Sequence, residues 1–179
     1  MRRREQKWRT WEVAGLFAVL LLGNALHFAY DWTGRAPWAA YLSAVNESTW
    51  EHMKLLLVPW LLWTAAACIA LRSLRPVMPR AAGLLAGLAA IPLLFYGYVG
   101  VTGVSVGVVN ILIFQAAVLL AFWVSVTLQK RGRLTGPVWQ LAGVVLLAAA
   151  AALFAVWTVS PPELPLFTDP TDGMRGIGK

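Results

Sequence analysis

Charge is what this sequence has least of: only 13% of its 179 residues are Asp, Glu, Lys or Arg, while 59% are hydrophobic. Soluble domains carry about 25% charged residues, so water is excluded as the solvent and a bilayer takes its place. Cysteine is nearly missing as well. The single Cys68 lies inside an apolar run. An intramolecular disulfide and a thiolate metal cluster are therefore excluded, and the residue reads as packing. No phosphate loop, HExxH motif, nucleophile elbow or stretch suited to nucleic acid occurs. The net charge of +7 would suggest a polyanion partner in a soluble protein. Here the basic residues fall almost entirely in short loops between apolar runs, which membrane topology explains.

What the chain has in abundance is apolar length. A span takes about 20 residues, so 179 residues leave room for four to six spans and no separate soluble domain. We expect an all-α integral membrane bundle of five transmembrane helices forming a single domain over 1–179. The helices fall at about 11–30, 47–71, 81–98, 104–129 and 138–159, with a tail over 160–179. The first follows Arg2, Arg3, Arg4, Lys7 and Arg9 as a signal peptide would, yet no small-x-small cleavage pattern closes it. It ends in Leu26-His27-Phe28-Ala29-Tyr30-Asp31-Trp32, an aromatic interface anchor, and is retained. Residues 31–46 suit a short interfacial or re-entrant segment. Pro59 and Pro92 fall inside the second and third helices.

Eleven of the fifteen basic residues lie in the N-terminus, the connection with Arg72, Arg75 and Arg80, and the loop with Lys130, Arg131 and Arg133. With five spans these share one face. That face is cytoplasmic, giving a multi-pass protein of the cell's inner membrane with its N-terminus inside and its tail outside. The tail has too many prolines for a helix, but Leu164, Leu166 and Phe167 favour burial. It is expected to fold back over the outer mouth of the bundle and to bring Asp169 toward the polar residues there.

Those polar residues gather where the first helix ends and the second begins. His27 and Asp31 are four apart, on one helical face. In Asn46-Glu47-Ser48-Thr49-Trp50-Glu51-His52-Met53-Lys54, the residues Glu47, Glu51 and Lys54 follow an i, i+4, i+7 stripe. Ser48-x-x-Glu51 also reads as a capping box; if Ser48 is the cap, Glu47 lies outside the helix and the stripe disappears. Ionisable groups continue inward to Lys54, about 10 Å along the axis from Glu47 at 1.5 Å per residue, a costly depth that makes a functional site the default hypothesis. Elsewhere Asn24, Asn110 and Gln115 read as interhelical bonding amides. Gly83-x-x-x-Gly87 and Gly103-x-x-x-Gly107 permit close helix packing, within one chain or in a homodimer.

The run Leu26-His27-Phe28-Ala29-Tyr30-Asp31-Trp32, the run NESTWEHMK and the run Pro161-Pro162-Glu163-Leu164-Pro165-Leu166-Phe167-Thr168-Asp169-Pro170 resemble those of an uncharacterised family of small bacterial polytopic membrane proteins, a domain of unknown function with an NESxWEHxK motif and a PPxLPLFxDP tail. The resemblance covers essentially the whole chain. It implies a common membrane fold and transfers no activity.

The leading functional reading is a divalent-metal pocket at the extracytoplasmic face, with His27, Asp31, Glu47, Glu51 and His52 as ligands. Nitrogen and carboxylate donors suit zinc, manganese or non-haem iron. A metal-dependent membrane enzyme is one form of this reading, with Glu47, Glu51 and Lys54 as its catalytic groups and a lipid-derived or peptide substrate. The alternatives are a small transporter or channel subunit with an acidic outer vestibule, a b-type haem protein ligated by His27 and His52, and a non-catalytic assembly or sensing subunit.

Overall fold

A computed structural model describes residues 2–177; the side chains of residues 2–6, Arg2, Arg3 and Arg4 among them, and residues 1, 178 and 179 lie outside the described part. Among the described residues there are five α-helices: α1 (Arg2–Trp32), α2 (Thr49–Leu71), α3 (Val77–Thr102), α4 (Gly107–Lys130) and α5 (Pro137–Val159). All five are long and apolar enough to cross a membrane. Large apolar side chains such as Leu21, Ile69, Leu93 and Ile111 are exposed, as lipid contact requires.

Helix limits follow local chemistry. Thr49 opens α2 because the Ser48 side chain accepts the Glu51 N–H at 3.3 Å, so Ser48 is the N-cap and Glu47 sits before the helix. The reciprocal half of a capping box does not form, since the Ser48 N–H donates to Asn46 Oδ1 at 3.0 Å and the Glu51 carboxylate accepts the Val45 N–H instead. The expected start of α3 near Ala81 moves back to Val77. Prolines 76 and 79 fall at the cap and first turn, where no intrahelical amide is lost. At its other end α3 runs to Thr102 and stops where Gly103 turns left-handed, with φ of 73°.

Contacts along their whole length show that α1 and α2 are antiparallel neighbours. His27 meets His52 near one end, the Trp63 indole donates to the Trp11 carbonyl at 3.0 Å, and Lys7 reaches the Ala70 carbonyl near the other. Half of the span in α2 is buried, against 17–28% in the other four, so α2 is the central helix. Trp60, Leu56, Leu84, Val118 and Ala121 form the core around it.

Close approach of α3 to α4 depends on glycine. A Cβ at Gly83 would collide with the Ala121 carbonyl, and one at Gly87 would come within 3.0 Å of the Ala117 carbonyl. This small-residue face is thus used inside the chain. Gly103 and Gly107 belong to different helices, one ending α3 and the other starting α4, and neither has a neighbour within 4 Å of its Cβ position.

Arg80 departs from its expected place in a basic loop. Because α3 starts early, the residue lies in the first helical turns, fully buried, and its Nη2 donates to Glu12 Oε1 at 2.6 Å. Trp60 and Phe122 flank the guanidinium with ring centres 5.7 and 5.9 Å away. The pair closes the basic end of the bundle. At the opposite end residues 39–41 form a 3-10 turn with Ala39 and Ala40 buried and Tyr41 exposed, and the tail returns across the bundle.

Candidate metal centre

The site is built by the turn ahead of α2. With Ser48 holding the cap, the backbone at Glu47 is outside the helix and its carboxylate swings back over the first turn toward α1. Glu47 Oε2 lies 3.5 Å from His52 Nε2 and 3.9 Å from His27 Nε2, and the two imidazole nitrogens are 3.2 Å apart. One donor atom from each residue falls within 4.8 Å of the others, a grouping able to hold a metal ion. Both histidines are half-buried and Glu47 is exposed, so the group is reached from the end of the bundle.

The orientation of His52 is fixed. Its Nδ1 stands 2.9 Å from the Ser48 carbonyl oxygen, which can only accept, so Nδ1 carries the proton. In the neutral ring Nε2 then presents a lone pair toward His27 and Glu47. This carbonyl–imidazole arrangement is the usual support of a metal-ligating histidine.

Glu47 is held by the tail. Its N–H donates to Asp169 Oδ2 at 2.8 Å, and the neighbouring Asn46 amide donates to the Gly176 carbonyl at 3.2 Å. Phe167 is buried against Trp50 and Trp157 with ring centres 4.7 and 5.3 Å away, which anchors the fold-back. Burial tends to raise the Asp169 pKa, but hydrogen bonds from the Thr171 hydroxyl and from the N–H groups of Glu47, Thr171 and Asp172 outweigh it and hold the carboxyl below its ordinary value.

Of the five expected ligands, the structure brings three together. Asp31 turns away to pair with Arg35 at 3.2 Å, both side chains exposed, because helical spacing of four from His27 still leaves a free rotamer toward solvent. Glu51 and Lys54 do not join the group either. Both are about 1% exposed, and they form an ion pair with each other inside the bundle. Lys54 Nζ also donates to the Ala40 carbonyl at 2.7 Å and the Thr158 hydroxyl at 3.0 Å, while Glu51 Oε2 accepts the Val45 N–H at 3.0 Å. Capping explains the difference: the turn that takes Glu47 off the helical stripe sends it to the histidines, and Glu51, the third residue of the helix, points to the core.

Beside the three-residue group opens a cavity of 390 Å³ between α2, α3 and α4, lined at its mouth by Glu47, Thr49, His52 and Thr171 and farther in by Leu55, Ile91 and Ile113. Asn110 stands on its wall within a polar cluster: the Tyr98 hydroxyl donates to Asn110 Oδ1 at 2.5 Å and the Asn110 amide to Ser105 Oγ at 3.0 Å. Asn24 instead donates to the Leu20 carbonyl of its own helix at 2.6 Å. Thr158 and the Glu12–Arg80 pair carry no signal in the sequence, since neither belongs to a motif and each partner lies more than 60 residues away.

A family model described as a family of unknown function, DUF6512, matches residues 1–177. No curated protein and no solved structure matches the chain.

Proposed function

Because the chain belongs to DUF6512, a family of unknown function, its chemistry has to come from its own side chains, and we propose that it is a membrane protein that binds a divalent metal ion through His27, Glu47 and His52. The observation that carries this is the His52 tautomer: the Ser48 carbonyl accepts a hydrogen bond from Nδ1–H, and the lone pair of Nε2 is left facing a second imidazole and a carboxylate.

The distances support the reading. Donors bound tetrahedrally at about 2.0–2.1 Å from zinc stand about 3.3–3.4 Å from one another. The observed edges of 3.2, 3.5 and 3.9 Å need only a small shift of Glu47 to reach that geometry. Manganese and non-haem iron accept the same donors. Two imidazoles bound across a haem iron would stand about 4 Å apart, so the contact at 3.2 Å favours a single small ion.

Three protein ligands leave a coordination position free, which is the pattern of catalytic rather than structural zinc. Glu47 and His52 also line the cavity, so an ion held by the three residues would supply Lewis-acid chemistry or an activated water beside it. Among the candidate catalytic groups, Glu47 acts on the metal. Glu51 and Lys54 act as positioning residues that fix the start of α2, since neither is exposed to the cavity. Their burial and mutual pairing also weigh against an acidic transport vestibule built from them.

We read the site as extracytoplasmic, in the inner membrane, because it lies at the end of the bundle away from Arg72, Arg75, Lys130, Arg131 and Arg133 and the positive-inside rule favours such clusters in the cytoplasm. Titrating metal-stripped protein with zinc tests the proposal. One ion per chain is expected, with affinity lowered at least tenfold in His27→Ala and in His52→Ala. Unchanged binding in both variants would place the ion elsewhere and end the reading.

A further inference from the structure

The cavity beside the histidines changes character along its depth. Glu47, His52, Asn110 and Thr171 surround its mouth, and Asn110 is already fixed by the Tyr98 hydroxyl at 2.5 Å. Below them the polar groups stop. Leu55, Ile91 and Ile113 are 4, 5 and 9% exposed, and with Phe114 they make an apolar pocket floor between three helices. Such a gradient matches a ligand with a polar head and an apolar body, because a fully polar ligand would leave its groups unpartnered at the floor.

Size narrows the class. At 390 Å³ the cavity lies near the lower limit of small-molecule sites, which run from about 300 to 1,000 Å³, a size that suits one chain better than two. A tail residue, Thr171, stands at the mouth, so the tail that holds Glu47 also borders the entrance. We propose that the cavity binds a single-chain amphiphile, with the head beside His52 and Glu47 and one acyl chain on the floor formed by Leu55, Ile91 and Ile113. The assignment of the head to the metal rests on the reading given under the proposed function; the acyl compartment stands on the cavity walls alone.

The test uses the full-length protein in lipid nanodiscs and a medium-chain alkyl hydroxamate carrying a diazirine at the chain end, irradiated with and without zinc and mapped by peptide mass spectrometry. Labels are expected on Leu55, Ile91, Ile113 or Phe114, reduced at least tenfold by excess unlabelled hydroxamate of the same length and unaffected by acetohydroxamate. Ile113→Trp, which fills the floor, should lower labelling by a similar factor; if that variant does not fold, the competition in the unaltered protein decides.

Cavity labelling that is strengthened by zinc supports both the amphiphile site and the metal. Equal cavity labelling with and without zinc, in protein that binds no zinc, keeps the acyl compartment and rejects the metal reading. Labels confined to lipid-facing positions such as Leu93 and Ile111, without competition, overturn the amphiphile site while zinc binding still stands. Competition by a short peptide in place of the alkyl hydroxamate would overturn it too.

Discussion

The Glu47 N–H donates to the Asp169 carboxylate at 2.8 Å across 122 residues of sequence, so the candidate metal ligand is held in place by the tail. The same carboxylate accepts the Thr171 N–H at 2.7 Å and the Thr171 hydroxyl at 2.5 Å. With the Asp172 N–H, four donors converge on a residue that is 4% exposed.

Asp169→Asn removes the charge that these donors address. Hydrogen bonds to charged groups contribute about 1.5–3 kcal/mol, and a loss of that order is expected in thermal melts, together with weaker zinc binding. The pH dependence has a definite sign. The folded pKa of Asp169 is depressed, so its stabilisation is complete above its unfolded value, near 3.9, and fades as pH falls through the lower folded value. Protease sensitivity of the tail should therefore rise below about pH 4 in the native protein and show no such step in the Asn variant.

Phe167 gives the tail its apolar anchor. The ring is 3% exposed and lies among Trp50 and Trp157. Phe167→Ala should cost about 3–5 kcal/mol and loosen Glu47 indirectly. A melting temperature within error of the parent protein, with the tail still protected, would show that the contact is dispensable.

Lys54 and Glu51 should behave as a buried pair. Lys54→Met alone leaves the Glu51 carboxylate unpaired and is expected to cost about 3–5 kcal/mol. Adding Glu51→Gln should recover much of that loss, because the charge left behind is then gone. Additive losses in the double variant would mean that the two side chains are not coupled.

How much of this was legible beforehand depends on whether a signal was local. Five spans follow from apolar runs, which need no partner to be recognised. The fold-back of the tail also had a local sign, since Leu164, Leu166 and Phe167 interrupt the prolines with groups that seek burial. The site was legible only in part. His27, Glu47 and His52 meet, but Asp31 and Glu51 were expected with them because helical spacing gives a shared face without a rotamer or a cap. The choice between the helical stripe and the capping box at Ser48 decided where Glu47 went, and both patterns are present in the same nine residues. Arg80 had no local sign: its partner Glu12 is 68 positions away, and proximity to Arg72 and Arg75 made it look like a loop residue.

Topology underlies the assignment of the site to the outer face. Reporter fusions at Arg75 and Arg131 should be cytoplasmic, and a fusion after Lys179 should be extracytoplasmic. A cytoplasmic reporter after Lys179 would turn the site toward the cell interior.

X-ray absorption at the zinc edge of the zinc-loaded protein tests the central claim most directly. A first shell of nitrogen and oxygen alone at about 2.0–2.1 Å is expected, with outer-shell scattering from two imidazoles that falls to one in His52→Ala. A sulfur shell from Cys68, or a spectrum with no imidazole scattering, would contradict the assignment of His27, Glu47 and His52 as the metal centre.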